Sequence, residues 1–187
     1  MNIEEIDEAK TPMQNIKQRF FALRNGMLAD MIRRTGSPYR IIFGLNLPQL
    51  REVAAAFGTD AGLAESLWAN DTTRESRLIA PMLADRATFT LADARRWMTS
   101  LSGSLEEVDV LCWALLRHVR DAETLIDEMV DSEKDIHRYV ALRLAANFLR
   151  TAPSRYRNFA IREIDRACTV TLPLARQIVE ETDFLAD

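Results

Sequence analysis

Between positions 48 and 168 the apolar residues recur at three- and four-residue spacing, with polar residues between them. That period marks amphipathic helices, and no stretch alternates as a half-buried strand would. Glycine and proline are sparse, six of each in 187 residues. They punctuate the helical runs at Gly36 to Pro38, Gly58, Gly62, Gly103, Pro153 and Pro173. The pattern predicts helices over 5–34, breaking near Thr11 and Pro12, and over 48–57, 60–69, 72–86, 90–101, 105–118, 121–131, 135–149, 153–168 and 173–185. Tyr39 to Phe43, flanked by Pro38 and Gly44, is the one place a strand is conceivable and reads as an extended connection.

Helix starts are visible in the side chains. Pro48 follows Asn46 and Leu47, in a first turn where its missing N–H costs nothing. Thr72 with Glu75, and Ser104 with Glu107, have the spacing of capping boxes, and Thr90 begins a similar start. Leading helices start near 48, 72, 105 and 135, so the middle of the chain falls into four consecutive helix pairs. Pairs at this period predict an all-α fold, a curved α-α superhelix of HEAT-like repeats. One helical-repeat domain over 1–187 is expected, with N-terminal helices in 1–40, repeats over about 48–168 and a C-terminal helix over about 173–185.

Composition narrows the classes. Apolar residues make up 48% and charged residues 28%, which suits a globular chain rather than a disordered one. At this size roughly 70% of the unfolded surface can be buried without covalent staples. Two cysteines, Cys112 and Cys168, exclude a disulfide scaffold and a cysteine-rich zinc site. His118 and His137 lie on different predicted helices without further ligands at metal spacing, so neither metal nor other cofactor is expected. The opening MNIEEIDEAK is acidic without an apolar core, unlike a signal peptide, and no run approaches a membrane span. Those features point to a reducing cytoplasm.

Charge adds a second layer. The net charge is −4, yet the charges are segregated. Residues 17–40 carry six basic residues against Asp30, residues 121–135 seven acids against Lys134, and residues 138–166 seven arginines against Glu163 and Asp165. Arg155, Arg162 and Arg166 stand at i, i+7 and i+11, one stripe of a helix, and Arg143 and Arg150 repeat the i, i+7 spacing. Guanidinium forks at that spacing suit phosphate oxygens. They equally suit local salt bridges to the acids of 121–135. No glycine-rich phosphate loop or Ser/His/Asp arrangement is visible.

Three stretches carry a resemblance when taken in order. Phe43 to Arg51 (FGLNLPQLR) precedes Leu63 to Trp68 (LAESLW), which continues into Glu75 to Ala80 (ESRLIA). Val108-Asp109-Val110-Leu111-Cys112 follows Trp97 and a short loop. Together, over roughly 40–150, they resemble the DNA alkylation repair family, HEAT-repeat DNA glycosylases of AlkD type. The resemblance implies a solenoid that holds duplex DNA and excises cationic N3- or N7-alkylated purines. It makes Asp109 the carboxylate beside the sugar and Arg138 a basic residue of a later motif. The family's active-site tryptophans fall at Leu105 and Ile136, so this chain keeps the carboxylate without that aromatic pair. Trp113, at i+4 from Asp109, is a candidate aromatic contact or a core residue. Arg138, Arg143, Arg150, Arg155, Arg162 and Arg166 are the candidate DNA contacts. The alternative is a non-catalytic helical scaffold that binds a protein or nucleic acid. No membrane partner is expected.

Overall fold

The computed structural model describes residues 9–186. Among them are eleven α-helices, no strand, and one isolated parallel bridge between Ile41 and Thr73. The fold is all-α, and the Tyr39 to Phe43 segment is an extended connection as the sequence predicts. The chain divides into two compact units, Met1–Thr88 and Phe89–Asp187. Residues 5–8 of the expected first helix lie outside the described residues.

In the first unit, α1 (Pro12–Ala22) starts at Thr11, whose side chain accepts from the Gln14 N–H while Gln14 reaches back to the Thr11 N–H. The helical run expected to continue to 34 instead stops at Leu23, and α2 (Gly26–Arg34) starts afresh. Asn25 causes the restart. Its side chain caps the Leu28 N–H, and its own N–H donates 2.8 Å to the Phe43 carbonyl. α3 (Leu47–Phe57) begins at a capping box of Asn46 and Gln49, with Pro48 in its first turn. α4 (Ala61–Trp68) is capped by Asp60. α5 (Arg74–Leu83) packs against both α3 and α4, which buries nearly its whole surface.

That burial explains the residues Glu75 to Ala80. Glu75 is 0% exposed and does not form the expected box with Thr72, because the helix begins only at Arg74. A buried carboxylate needs donors. Glu75 accepts from the backbone N–H of Phe43 (3.0 Å), Gly44 (2.9 Å) and Leu45 (3.3 Å), and from Arg74 at 2.9 Å. Arg74 also donates to the Leu45 carbonyl, while Arg77 donates to the Trp68 carbonyl and stacks 3.6 Å over that indole. The same loop requires glycine at 44. Its φ is +80°, and a Cβ there would lie 2.2 Å from the Asn25 carbonyl oxygen.

In the second unit, α6 (Leu91–Met98) starts at a capping box of Thr90 and Asp93. The Thr90 hydroxyl and N–H hold the Asp93 carboxyl below its ordinary range. α7 (Leu105–Ala114) is capped by Ser104, but buried Glu107 turns to the Ser102 N–H and hydroxyl rather than to Ser104, so no reciprocal box forms. The run expected to 118 breaks at Leu115 into a 3₁₀ turn, Leu116–His118. α8 (Glu123–Met129), α9 (Asp135–Asn147), α10 (Pro153–Arg166) and α11 (Leu172–Ala186) follow. α9 packs against α7, α8, α10 and α11, so it is the central element, and its Val140, Ala141, Leu142, Leu144 and Ala145 are fully buried. Leading helices pack on leading helices within each unit, α3 on α5 and α7 on α9, as stacked pairs require. No helix among the described residues is long and apolar enough to cross a membrane.

Candidate functional site

Helix α7 buries Val108, Leu111 and Cys112, and this register leaves Asp109 half-buried beside α9. On α9, Tyr139 and Arg143 stand at i and i+4, so they share a face. That face meets Asp109. The Tyr139 hydroxyl donates to Asp109 Oδ1 at 2.9 Å, and Arg143 Nε donates to the same oxygen at 2.6 Å. Arg143 Nη2 reaches the Tyr139 hydroxyl oxygen at 3.4 Å. Asp109 Oδ2 and Arg143 Nη1 make no hydrogen bond among the described residues. The Asp109 side chain is 38% exposed, so this second oxygen belongs to a partly open carboxylate.

The electrostatics fix the protonation pattern. Burial first, then the charge of Asp109, pushes the Tyr139 hydroxyl up to about 12, so it is a donor at neutral pH. Burial opposes the charge on Arg143, but the hydrogen bond and charge of Asp109 outweigh it and raise its pKa. Beneath them Cys112 is fully buried, and desolvation followed by the Asp109 charge pushes its thiol up, so it is no nucleophile. Asp109 is thus aligned through one oxygen by two donors, while its side chain stays partly open to solvent.

The other sequence candidates are placed differently. Trp113 is half-buried, with the Arg117 guanidinium 5.7 Å from its ring. Leu105 is exposed at the first turn of α7, and Ile136 is half-buried at the start of α9. Arg138 is buried and points into ion pairs with Glu163 at 3.2 Å and with Asp135, and it donates 2.6 Å to the Ser132 carbonyl. Arg155 pairs with Asp127 and, at 3.7 Å, with Glu123. Arg162 lies 3.7 Å from Asp131, and Arg166 pairs with Asp131 at 3.0 Å and with Glu163. The stripe on α10 thus runs along the acids at 123, 127 and 131, in and just past α8. Arg150 is exposed and unpaired among the described residues, at a groove of about 520 Å³ that Phe148, Glu180 and Phe184 also line.

The structure brings Asp109 and Arg143 together, while Arg138, Arg155, Arg162 and Arg166 bind acids of their own unit. Sequence reasoning missed Tyr139, which reads as one more apolar position in the run to Leu142. Its i, i+4 spacing to Arg143 was the available signal. Among the described residues no group of three or more His, Cys, Asp or Glu side chains could hold a metal ion.

Comparison with known proteins adds one match. The model of a family described as DNA alkylation repair enzyme matches residues 16–184. No curated protein and no solved structure is significantly similar to the chain.

Proposed function

Because the chain belongs to the DNA alkylation repair enzyme family, we propose that it binds alkylated duplex DNA and hydrolyses the N-glycosidic bond of cationic N3- or N7-alkylpurines. The observation that carries this reading is the Asp109 carboxylate, held through Oδ1 by Tyr139 and Arg143 with Oδ2 left open. As the bond from C1′ to the purine nitrogen breaks, its electron pair leaves with the base, which departs neutral. Positive charge grows on the sugar, and the fixed carboxylate stabilises that charge without reorganising. Water adds to C1′ and loses a proton, so neither a metal nor a covalent intermediate is needed. Arg143 keeps Asp109 in place and offers Nη1 to a phosphate oxygen.

Activity is expected to be weak. Leu105 and Ile136 stand where the resemblance places aromatic faces, and each missing cation–π contact is worth about 0.5–2 kcal/mol. Together that is a loss of about tenfold or more in lesion affinity. The same two residues, and the internal pairing of Arg155, Arg162 and Arg166, favour the second reading, a non-catalytic helical scaffold for nucleic acid or protein.

Release of 7-methylguanine or 3-methyladenine from alkylated duplex, by wild type and by Asp109→Asn, separates the two. The catalytic reading expects Asp109→Asn to lower the excision rate far more than DNA affinity, since the lost interaction belongs to the transition state. Excision unchanged in Asp109→Asn removes the catalytic role, and no release by either protein leaves the scaffold.

A further inference from the structure

Among the described residues of the first unit the charges of 17–40 meet no acidic helix. Lys17, Arg34 and Arg40 are exposed and have no ion pair or hydrogen bond among the described residues. Arg33 is held by Asp30 at 2.7 Å and by the Ile42 carbonyl, which accounts for the segment's acid. Arg24 folds back over the Phe21 ring at 3.9 Å and donates to the Phe21 carbonyl.

Three of the exposed side chains between these cations are large and apolar. On α1, Ile16 and Phe20 are buried, which turns Lys17 and Phe21, at i and i+4, to solvent. On α2, Ala29 packs with Tyr39, Ile42 and Ile32, which turns Met27, Asp30, Met31 and Arg34, at i, i+3, i+4 and i+7, outward. Phe21 is 58% exposed, Met27 86% and Met31 58%. Both helices thus present a cation without an ion pair among the described residues beside exposed apolar side chains, Phe21 under the Arg24 guanidinium on α1 and Met27 and Met31 on α2. The inner face of α2 is pinned by the Gly44 contact and by the bond from Asn25 to Phe43, so the outward stripe has a fixed orientation.

We propose that the outward sides of α1 and of α2, with Arg40 in the loop that follows, contact duplex DNA that needs no lesion. Lys17, Arg34 and Arg40 meet phosphates, and Phe21, Met27 and Met31 lie against the sugar edges of the minor groove. Charge complementarity selects the partner. The molecule carries a net charge of −4, so a polyanion is attracted only where cations outnumber acids, and over 17–40 six cations stand against the single acid Asp30, which Arg33 already pairs. Phenylalanine and methionine are side chains that proteins set into minor grooves. The proposal deepens the proposed function and rests on its premise that the chain meets duplex DNA. It adds a second surface, on a different unit from Asp109.

The test uses the full chain and an undamaged 20-base-pair duplex in an anisotropy titration over salt concentration. A triple change, Lys17→Glu, Arg34→Glu and Arg40→Glu, should lower affinity on the order of a hundredfold at 0.15 M salt and flatten the log–log salt slope by about 2.7, at about 0.9 per lost phosphate contact. The glutamine triple should flatten the slope similarly, so repulsion is not the cause. Met27→Ser with Met31→Ser should weaken binding several-fold and leave the slope unchanged. All these positions are exposed, and an unchanged melting temperature confirms that each variant is folded. Unchanged affinity and slope in both triples overturn the proposal, as does wild type that fails to bind the duplex. Binding to phosphatidylserine vesicles that the triple abolishes, while duplex binding survives, overturns it in favour of a membrane. Base release at Asp109 with an unaltered slope would sink this surface alone, and intact duplex binding without base release would sink the catalytic reading alone.

Discussion

The basic stripes of the two units differ in how they are paired. In the first, the acid Glu75 is buried with Arg74, while Lys17, Arg34 and Arg40 stand on the surface without an ion pair among the described residues. In the second, Arg155, Arg162 and Arg166 of α10 are matched one after another by the acids at 123, 127 and 131. Both basic segments look alike in sequence, and the second is even richer in arginine. What separates them is the neighbouring helix. A basic stripe packed along an acidic helix is largely neutralised where it stands, and one without such a neighbour keeps its field for a partner. Arginine density alone therefore does not locate the bare cations, which in the second unit are Arg120, Arg150 and Arg176 among the described residues rather than the α10 stripe.

The largest expected effect tests the buried half of this contrast. Glu75→Ala strands the Arg74 charge and three backbone N–H groups in the interior, and should cost about 3–5 kcal/mol of stability in a denaturant titration. Glu75→Gln should cost less, because its amide oxygen still accepts from the loop at 43–45. Asp127→Ala breaks an exposed pair with Arg155 and should cost about 1 kcal/mol or less. Equal losses in Glu75→Ala and Asp127→Ala would erase the distinction between buried and surface pairing.

Much of the fold was legible because helix starts are local. Asn46 with Gln49 and Thr90 with Asp93 cap within four residues, and a reader of the chain can see both partners. The restart at Asn25 was not legible, since it depends on the Phe43 carbonyl eighteen positions on. Glu75 failed for the same reason. Its donors sit at 43 to 45, and only packing of α5 against that loop brings them within reach. The site was half legible. Asp109 came through the family resemblance, and Arg143 through its spacing. Tyr139 was hidden, because a tyrosine in an apolar run looks like core until the partner for its hydroxyl is known. The acidic and basic segments of the second unit were both plain, and a salt-bridged face was one of the two readings open. Their mutual register, with acids four apart against arginines seven and four apart, is a property of how α8 and α10 lie together.

A smaller effect sharpens the surface half of the contrast. Changing Glu123, Asp127 and Asp131 to alanine together releases Arg155 and Arg162 and one of the partners of Arg166. If pairing is what withholds these arginines, affinity for undamaged duplex should rise and its salt slope should steepen by about 0.9 for each arginine that reaches a phosphate. Stability should change little, since each pair is exposed. An unchanged slope would mean that the α10 stripe faces away from any DNA even when bare.

The smallest expected effect concerns His137, in the second unit. His137 lies at the start of α9, with its Nδ1 3.3 Å from the Ser132 hydroxyl. Burial, and then the charge of Lys134, lowers its pKa from the ordinary 6.5. The helix start adds a positive end that also disfavours a cation. With the folded pKa below the unfolded one, the unfolded chain binds more protons as pH falls through 6.5, so stability declines with acidification in that range. The decline levels off once the folded form also takes up its proton. Asp93, Glu128 and Asp135 are shifted the other way, below the ordinary carboxylate range, by Thr90, Arg95 and Arg138 in turn. Their stabilisation is lost only at much lower pH, so the two windows separate. Melting temperature followed from pH 8 to pH 5 should therefore fall slightly in wild type and stay flatter in His137→Gln, with identical behaviour below pH 4. A profile that is the same in both proteins across the upper window would show that His137 is solvated alike in the folded and unfolded chain, and that the pairing of the second unit has no titrating neighbour near neutral pH.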